Sequence, residues 1–332
     1  MDELSIRERI SKRKLREIEK YLDIVEHIRD YGRQVKELIL EYLPEEISHI
    51  PDRVREVFRE FLRSKDKTLT ELANLYKNIP NLEVTTRYVI LCYCTIPGLT
   101  DLRIEKFLSI MRDLYKEIRQ FIEWPEYKNI DSIVQAICEK YEKVNKEILQ
   151  NMLIKYTHAV RKIVKAYKRD VFEWIMFKKS IRELENDLRI FFPKKMNERM
   201  RRSLKSIIRI FSHTTNIPIA VNIIRRGENS KYISIADMYT TLTTFRSGAF
   251  LIMKLDSDKV RRIELLASKG YEVTVRVQSV KGIVRSVAKL SLDPILYERG
   301  SFTIGYRYCS KNMCDNCPIR DVCIKYLNIK VK

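Results

Sequence analysis

The chain has 332 residues, with 64 Lys and Arg against 44 Asp and Glu, a formal net charge of +20. A 45% hydrophobic content can bury a real core, and 8 Gly and 9 Pro are too few for long disordered segments. No run of 18 uncharged apolar residues exists, so no membrane span is expected, and the surplus of cations points to a polyanionic partner. Nucleic acid comes before an anionic lipid surface as that partner, with plain solubility as the bland alternative. The opening stretch, MDELSIRERISKRK, lacks the apolar run of a signal peptide, so a cytoplasmic protein is expected, in which disulfides are disfavoured.

Residues 4–44 read as one or two amphipathic helices, with Ile10, Leu15, Ile18, Tyr21, Leu22, Ile24, Val25 and Ile28 at roughly helical spacing. Leu43-Pro44 and Ile50-Pro51 punctuate the next stretch, and helical patterns resume over 51–77, 83–94 and 101–123. Trp124-Pro125 marks a break near residue 130 between an N-terminal helical region and the rest. From 130 to 210 the pattern is again helical. Residues 155–210 hold 17 Lys or Arg against 6 Asp or Glu, interleaved with Tyr156, Tyr167, Phe172, Trp174, Phe177, Phe191 and Phe192. That segment is either a phosphate-facing surface or a set of helices with solvated basic faces over an aromatic core. Tyr271–Val277 alternates with period two after Gly270 and reads as the one strand, with Gly282 turning a hairpin or opening a helix. The expected fold is therefore mainly α, with minor β near 271–283.

Cys309, Cys314, Cys317 and Cys323 stand in the spacing C-x4-C-x2-C-x5-C within fifteen residues. Thiolates this close commonly share a metal centre. Structural zinc usually takes two separated C-x2-C pairs, and only Cys314 and Cys317 form one. A [4Fe–4S] cubane accepts four thiolates from one compact loop, and Pro318 suits a tight turn around it. The expected cofactor is thus a [4Fe–4S] cluster, with zinc as the alternative and no metal as a third outcome. Cys92, Cys94 and Cys138 sit in apolar runs and read as core residues.

The cysteine loop resembles that of the endonuclease III and adenine glycosylase branch of the helix-hairpin-helix DNA glycosylases. That family's spacing is C-x6-C-x2-C-x5-C, and this chain shortens the first interval by two. The approach Gly305-Tyr306-Arg307-Tyr308-Cys309 resembles the family's Gly-Arg-Tyr-x-Cys. Residues 233–248, ISIADMYTTLTTFRSG, resemble its V-D-T-H-V-x-R-x-x-x-R-x-G, with Asp237 in the aspartate's place, Arg246 nine residues on and Gly248 eleven on. Met238-Tyr239 replaces the family's Thr-His. Counting back, His213–Ile217 falls on the family's hairpin, without its glycines, and Ala220–Ile224 on the helix after it. The 72 residues from Asp237 to Cys309 exceed the family's interval, and 271–283 is the expected insertion. The resemblance covers roughly residues 130–325.

Residues 1–130 read as a helical N-terminal region of unknown role with no counterpart in the family, while the resemblance implies a two-lobed helical glycosylase-like module (131–300) and a four-cysteine iron–sulfur loop (301–332). It implies duplex DNA as partner, a nucleoid-associated protein, and extrusion and removal of a damaged or mismatched base in base-excision repair. Asp237 is the implied catalytic carboxylate, with a helix N-cap as the competing role. Ile219 occupies the place of the lysine that forms a Schiff base in the lyase-competent members, so a monofunctional, hydrolytic scheme is implied. Thr215 and Asn216 in the turn, Arg246, and Arg307, Lys311, Arg320 and Lys325 around the cysteines are the candidate nucleic-acid contacts. Two alternatives stay open: a non-catalytic iron–sulfur nucleic-acid-binding protein, and an unrelated cluster-bearing nuclease. The nuclease predicts grouped Asp and Glu for Mg²⁺, a pattern not found in the sequence.

Overall fold

In a computed structural model the described residues are 12–64, 67–101 and 103–332. Ile10 lies outside them, as does the side chain of Leu15. The chain is mainly α and divides into two compact units: one takes the chain up to Val35 together with Asn229–Lys332, the other is Lys36–Glu228. Among the described residues no helix is long and apolar enough to cross a membrane.

Helix α1 (Lys12–Gln34) belongs to the first unit. The chain then builds the whole second unit, from α2 (Leu38–Glu41), α3 (Ile50–Arg63) and α4 (Leu69–Lys77) onwards. Pro51 sits in the first turn of α3, where a missing N–H costs nothing. Thr68 and Glu71 form a reciprocal capping box at the start of α4. Helix α5 (Leu82–Thr95) is the core of this unit, with all but Glu83 and Val84 buried. Its buried threonine hydroxyls are satisfied locally: Thr86 donates to the Leu82 carbonyl and Thr95 to those of Leu91 and Cys92. Around it run α6 (Ile104–Asp113), α7 (Tyr115–Glu123), α8 (Ile130–Lys140), α9 (Lys146–Ala166), α10 (Val171–Met176), α11 (Ile181–Leu188) and α12 (Glu198–Phe211), and the unit ends in α13 (Val221–Arg225). Cys92 and Cys94 are buried here as expected, and Cys138 is half-buried.

The chain returns to the first unit with α14 (Met238–Arg246), α15 (Asp258–Ser268), α16 (Val277–Leu290) and α17 (Pro294–Arg307). Its core joins Leu22, Val25 and Ile28 of α1 to Phe245, Val260, Val280, Val284, Val287, Tyr297 and Ile304. Backbone meets backbone along α17. A Cβ on Gly300 would overlap the Ile28 carbonyl oxygen, one on Gly32 the Leu296 carbonyl, and one on Gly305 the Tyr239 carbonyl. Small residues thus let α1 and α14 both close onto α17. Buried Arg299 then donates to the Gly32 and Val35 carbonyls, where α1 ends.

Two sequence expectations change here. The breaks near 130 and 300 do not mark the compact units. Trp124-Pro125 ends α7 without ending a unit, because α8 and α9 go on packing around the same core as α5 and α7. The strand is only Val273–Val275 (β1), and it pairs in parallel with Ile329–Val331 (β2), Val273 opposite Ile329. No hairpin forms at Gly282, which lies inside α16.

Candidate metal centre and the carboxylate helix

The four clustered cysteines line one pocket. Helix α17 delivers the chain to Cys309. A left-handed Asn312 turns it, and Cys314–Cys323 wraps round Ile319, which is buried in the core beneath. The other lining groups are Arg246, Tyr308, Arg320, Lys325 and Leu327. None of the seven cysteines forms a disulfide. Among the described residues, no three His, Cys, Asp or Glu side chains converge on one ion-sized point. What the four cysteines share is the wall of this pocket.

Backbone N–H groups are already aimed at sulfur: that of Ile319 at Cys317, and that of Lys325 at Cys323. Such bonds favour the thiolate. Burial acts the other way. It pushes the Cys309 thiol up to about 12, with Cys317 and Cys323 adding to the rise, and Cys323 up to about 11. Thiols this reluctant to ionise become thiolates when a cation compensates them. A purely sulfur donor set suits iron–sulfur or zinc and not a hard cation. Arg246, Arg320 and Lys325 are suited to offset the net negative charge of four thiolates around either centre. On chemistry the site fits a sulfur-ligated group.

Helix α14 connects this pocket to the predicted carboxylate. At its C-terminal end, the Arg246 guanidinium donates to the carbonyls of Ile329 and Cys309 and to Oδ1 of Asn312. The N–H groups of Ile324 and Tyr326 donate to the carbonyls of Ser247 and Arg246. The last cysteine turn therefore satisfies orphan carbonyls of α14. Gly248 has φ +88° and lies against Ile324, so the helix ends in a residue that Cβ would both strain and crowd.

At the other end Asp237 is the N-cap. Its Oδ1 accepts from the Thr240 N–H at 2.7 Å, so the capping role weighed against catalysis is present. The segment before it is held by Glu298, a buried α17 carboxylate that accepts from the Ile235 N–H at 2.6 Å. Beside Asp237, Tyr239 meets Phe302 and Tyr306 edge-on at 5.6 and 5.1 Å between ring centroids. Phe302 and Tyr306 stack on each other at 5.9 Å. All three rings are half-buried.

No protein-family model, no curated protein and no solved structure matches this chain.

The remaining sequence candidates divide. A turn at 213–217 joins α12 to α13. Its construction differs from expectation: no turn residue has positive φ, and Asn216 is fully buried, donating to the Arg209 carbonyl. A side chain committed inside the fold does not reach phosphate. Thr215 is half-buried against His213, and Arg55 of α3 grips the Thr215 and Asn216 carbonyls. Arg246 is taken up by the pocket wall. Lys311, Arg320 and Lys325 are exposed around the cysteines, and Arg307 is half-buried. Asp237 belongs to the first unit and the turn to the second. Sequence reasoning missed Glu298, Phe302 and Tyr306. The i, i+4 spacing of Phe302 and Tyr306 was the available signal.

Proposed function

We propose that this protein is a DNA-binding iron–sulfur protein of the glycosylase type, in which Asp237 serves the hydrolytic release of an extruded base. One observation carries the reading: α14 has Asp237 at one end and, about 13 Å along, Arg246 bonded into the wall of the four-cysteine pocket. An ordered cysteine loop would thereby fix the direction of the carboxylate. Cys309, Cys314, Cys317 and Cys323 would hold a [4Fe–4S] cluster, whose contribution is structural. Exposed Lys311, Arg320 and Lys325 would face phosphate.

The chemistry needs little more than a placed carboxylate. As the bond from the sugar C1′ to the base nitrogen breaks, its electron pair leaves with the base, which takes up a proton. The Asp237 carboxylate stabilises the cationic sugar. Water then adds oxygen to C1′ and gives its proton to the carboxylate or to solvent. Ile219 has no amine for a Schiff base, so the strand stays uncut.

Anaerobic purification should yield a brown protein with about four irons and four sulfides per chain. A colourless zinc protein would sink the cluster assignment. Base release is then measured on duplexes carrying uracil, 8-oxoguanine or a mismatch. Asp237→Asn keeps a good N-cap, so its fold should survive while release falls at least about 100-fold. Unchanged release would remove Asp237 from catalysis. A second reading, a non-catalytic nucleic-acid-binding protein, is favoured by the burial of Asn216 and by the capping bond of Asp237. It predicts duplex binding with no base release by the unmutated protein.

A further inference from the structure

The largest exposed aromatic of the described residues is Trp124, 69% exposed, in the short link between α7 and α8. Tyr127, three residues on, is 49% exposed. Large rings left in water are uncommon in a chain that buries its Tyr and Phe as thoroughly as this one. The link is held in shape. The Trp124 N–H donates to the Gln120 carbonyl at 2.8 Å and the Asn129 N–H to the Glu126 carbonyl at 3.1 Å. The Glu123 carbonyl takes the Arg87 guanidinium at 2.6 Å, and its carboxylate takes that of Arg119 at 2.8 Å. The rings are therefore displayed by a fixed turn, which lowers the entropy cost of using them.

The neighbouring helix supplies charge of one sign. The Arg161 guanidinium of α9 lies over the Tyr127 ring, 5.8 Å from its centroid. From Ile148 to Arg169 the chain carries Lys155, Arg161, Lys162, Lys165, Lys168 and Arg169 and no Asp or Glu at all. Among the described residues none of these six forms an ion pair. Two carboxylates of the turn are engaged by other cations, Glu126 by Lys128 at 2.8 Å and Glu123 by Arg119, though Glu126 also lies within the field of Arg161. Tyr167, at the end of α9, is a further ring in water, 49% exposed.

Exposed π-faces on a rigid turn, beside a helix whose only carboxylate is Glu147 in its first turn, are what an unpaired strand recognises: bases stack and phosphates neutralise. We propose that Trp124, Tyr127 and the basic face of α9 form a binding platform for single-stranded DNA. The platform stands on its own observations and is independent of Asp237 and of the cysteine pocket.

The chain tests this with its own fluorophores. It has two tryptophans, Trp124 and the buried Trp174, which lies beneath the Lys178 ammonium. The full-length protein is titrated with oligodeoxythymidine of about 15 nucleotides while tryptophan emission and oligonucleotide anisotropy are read together. Stacking should quench the Trp124 contribution and leave that of Trp174. Trp124→Leu should remove the quench and weaken binding by about 5- to 150-fold, and Trp124→Phe should restore much of the affinity. Lys162→Glu with Lys165→Glu should also flatten the slope of log affinity against log salt by about 0.7 per lost contact. Anisotropy showing equal affinity for the parent and Trp124→Leu, with no quench, would place the strand elsewhere and overturn the proposal. Quenching by phosphatidylserine vesicles but not by oligonucleotide would overturn it in favour of a membrane surface. Binding of oligouridine alone would overturn it in favour of RNA.

Discussion

Replacing Gly300 by alanine probes the crossing that holds the first unit together. A Cβ there would overlap the Ile28 carbonyl oxygen and stand 2.9 Å from the Gly32 nitrogen. Ordinary carbon–oxygen contacts lie at about 3.3–3.6 Å, so α1 and α17 must part by about an ångström, and neither obstacle is a side chain that can swing away. Two effects oppose each other. Alanine in a helix interior gains about 0.5–1 kcal/mol over glycine. Overpacking costs about 1–3 kcal/mol, and parting the helices also loosens the contacts of Leu22, Val25, Ile28, Tyr297 and Ile304. The net expectation is a loss of about 1–2 kcal/mol. Gly282 is the control, since it lies in α16 and an added methyl there would meet nothing within 4 Å. Gly282→Ala should therefore gain about 0.4–1 kcal/mol. In urea titrations followed by circular dichroism, the two variants should shift the midpoint in opposite directions with the slope unchanged. If Gly300→Ala unfolds at or above the parent's midpoint, the close approach of the two helices is refuted.

The same geometry gives further expected outcomes. Cys317→Ser should abolish metal retention, measured as iron or zinc per chain, whereas Cys138→Ser in the second unit should leave it unchanged. Arg246→Ala removes three charge-assisted bonds, two to the cysteine loop and one to Ile329 in β2, and should speed metal loss to a chelator; Arg246→Lys should rescue little, because one ammonium cannot span Ile329, Cys309 and Asn312 together. In the second unit, Glu37 and Arg209 pair at 2.8 Å with both side chains buried. Glu37→Gln should cost about 3–5 kcal/mol in denaturant titration, while Glu56→Gln, which breaks the exposed pair with Arg53, should cost under about 1 kcal/mol.

Much of the secondary structure was legible in the chain itself. Apolar spacing marked α1, the prolines at 44 and 51 marked ends and starts, and Trp124-Pro125 marked the close of α7. The four cysteines declared themselves by spacing alone, and they do share one pocket wall. These features are local, fixed by φ restriction and by helical period, so a single sequence carries them. Which residues meet across the fold is not a local matter. The partner of β1 lies at the far end of the chain, so a period-two run at 271–277 could not announce a parallel pair with 329–331. The glycines at 32, 300 and 305 read as weak helix residues until α1 and α14 close upon them. Arg246 looked like a hand for phosphate, and the fold instead commits its donors to the cysteine loop. Asn216 looked like a turn tip, and packing buries it.

The sequence by itself determined the helices, the basic surplus and the cysteine set, because propensity, charge and ligand spacing are properties of short segments. Only the tertiary structure decided that the first helix joins the C-terminal hundred residues in one unit, that α14 ties Asp237 to the cysteine pocket, and that Trp124 stays in water beside the basic helix. Those facts depend on which surfaces bury one another, and burial is a property of the whole chain.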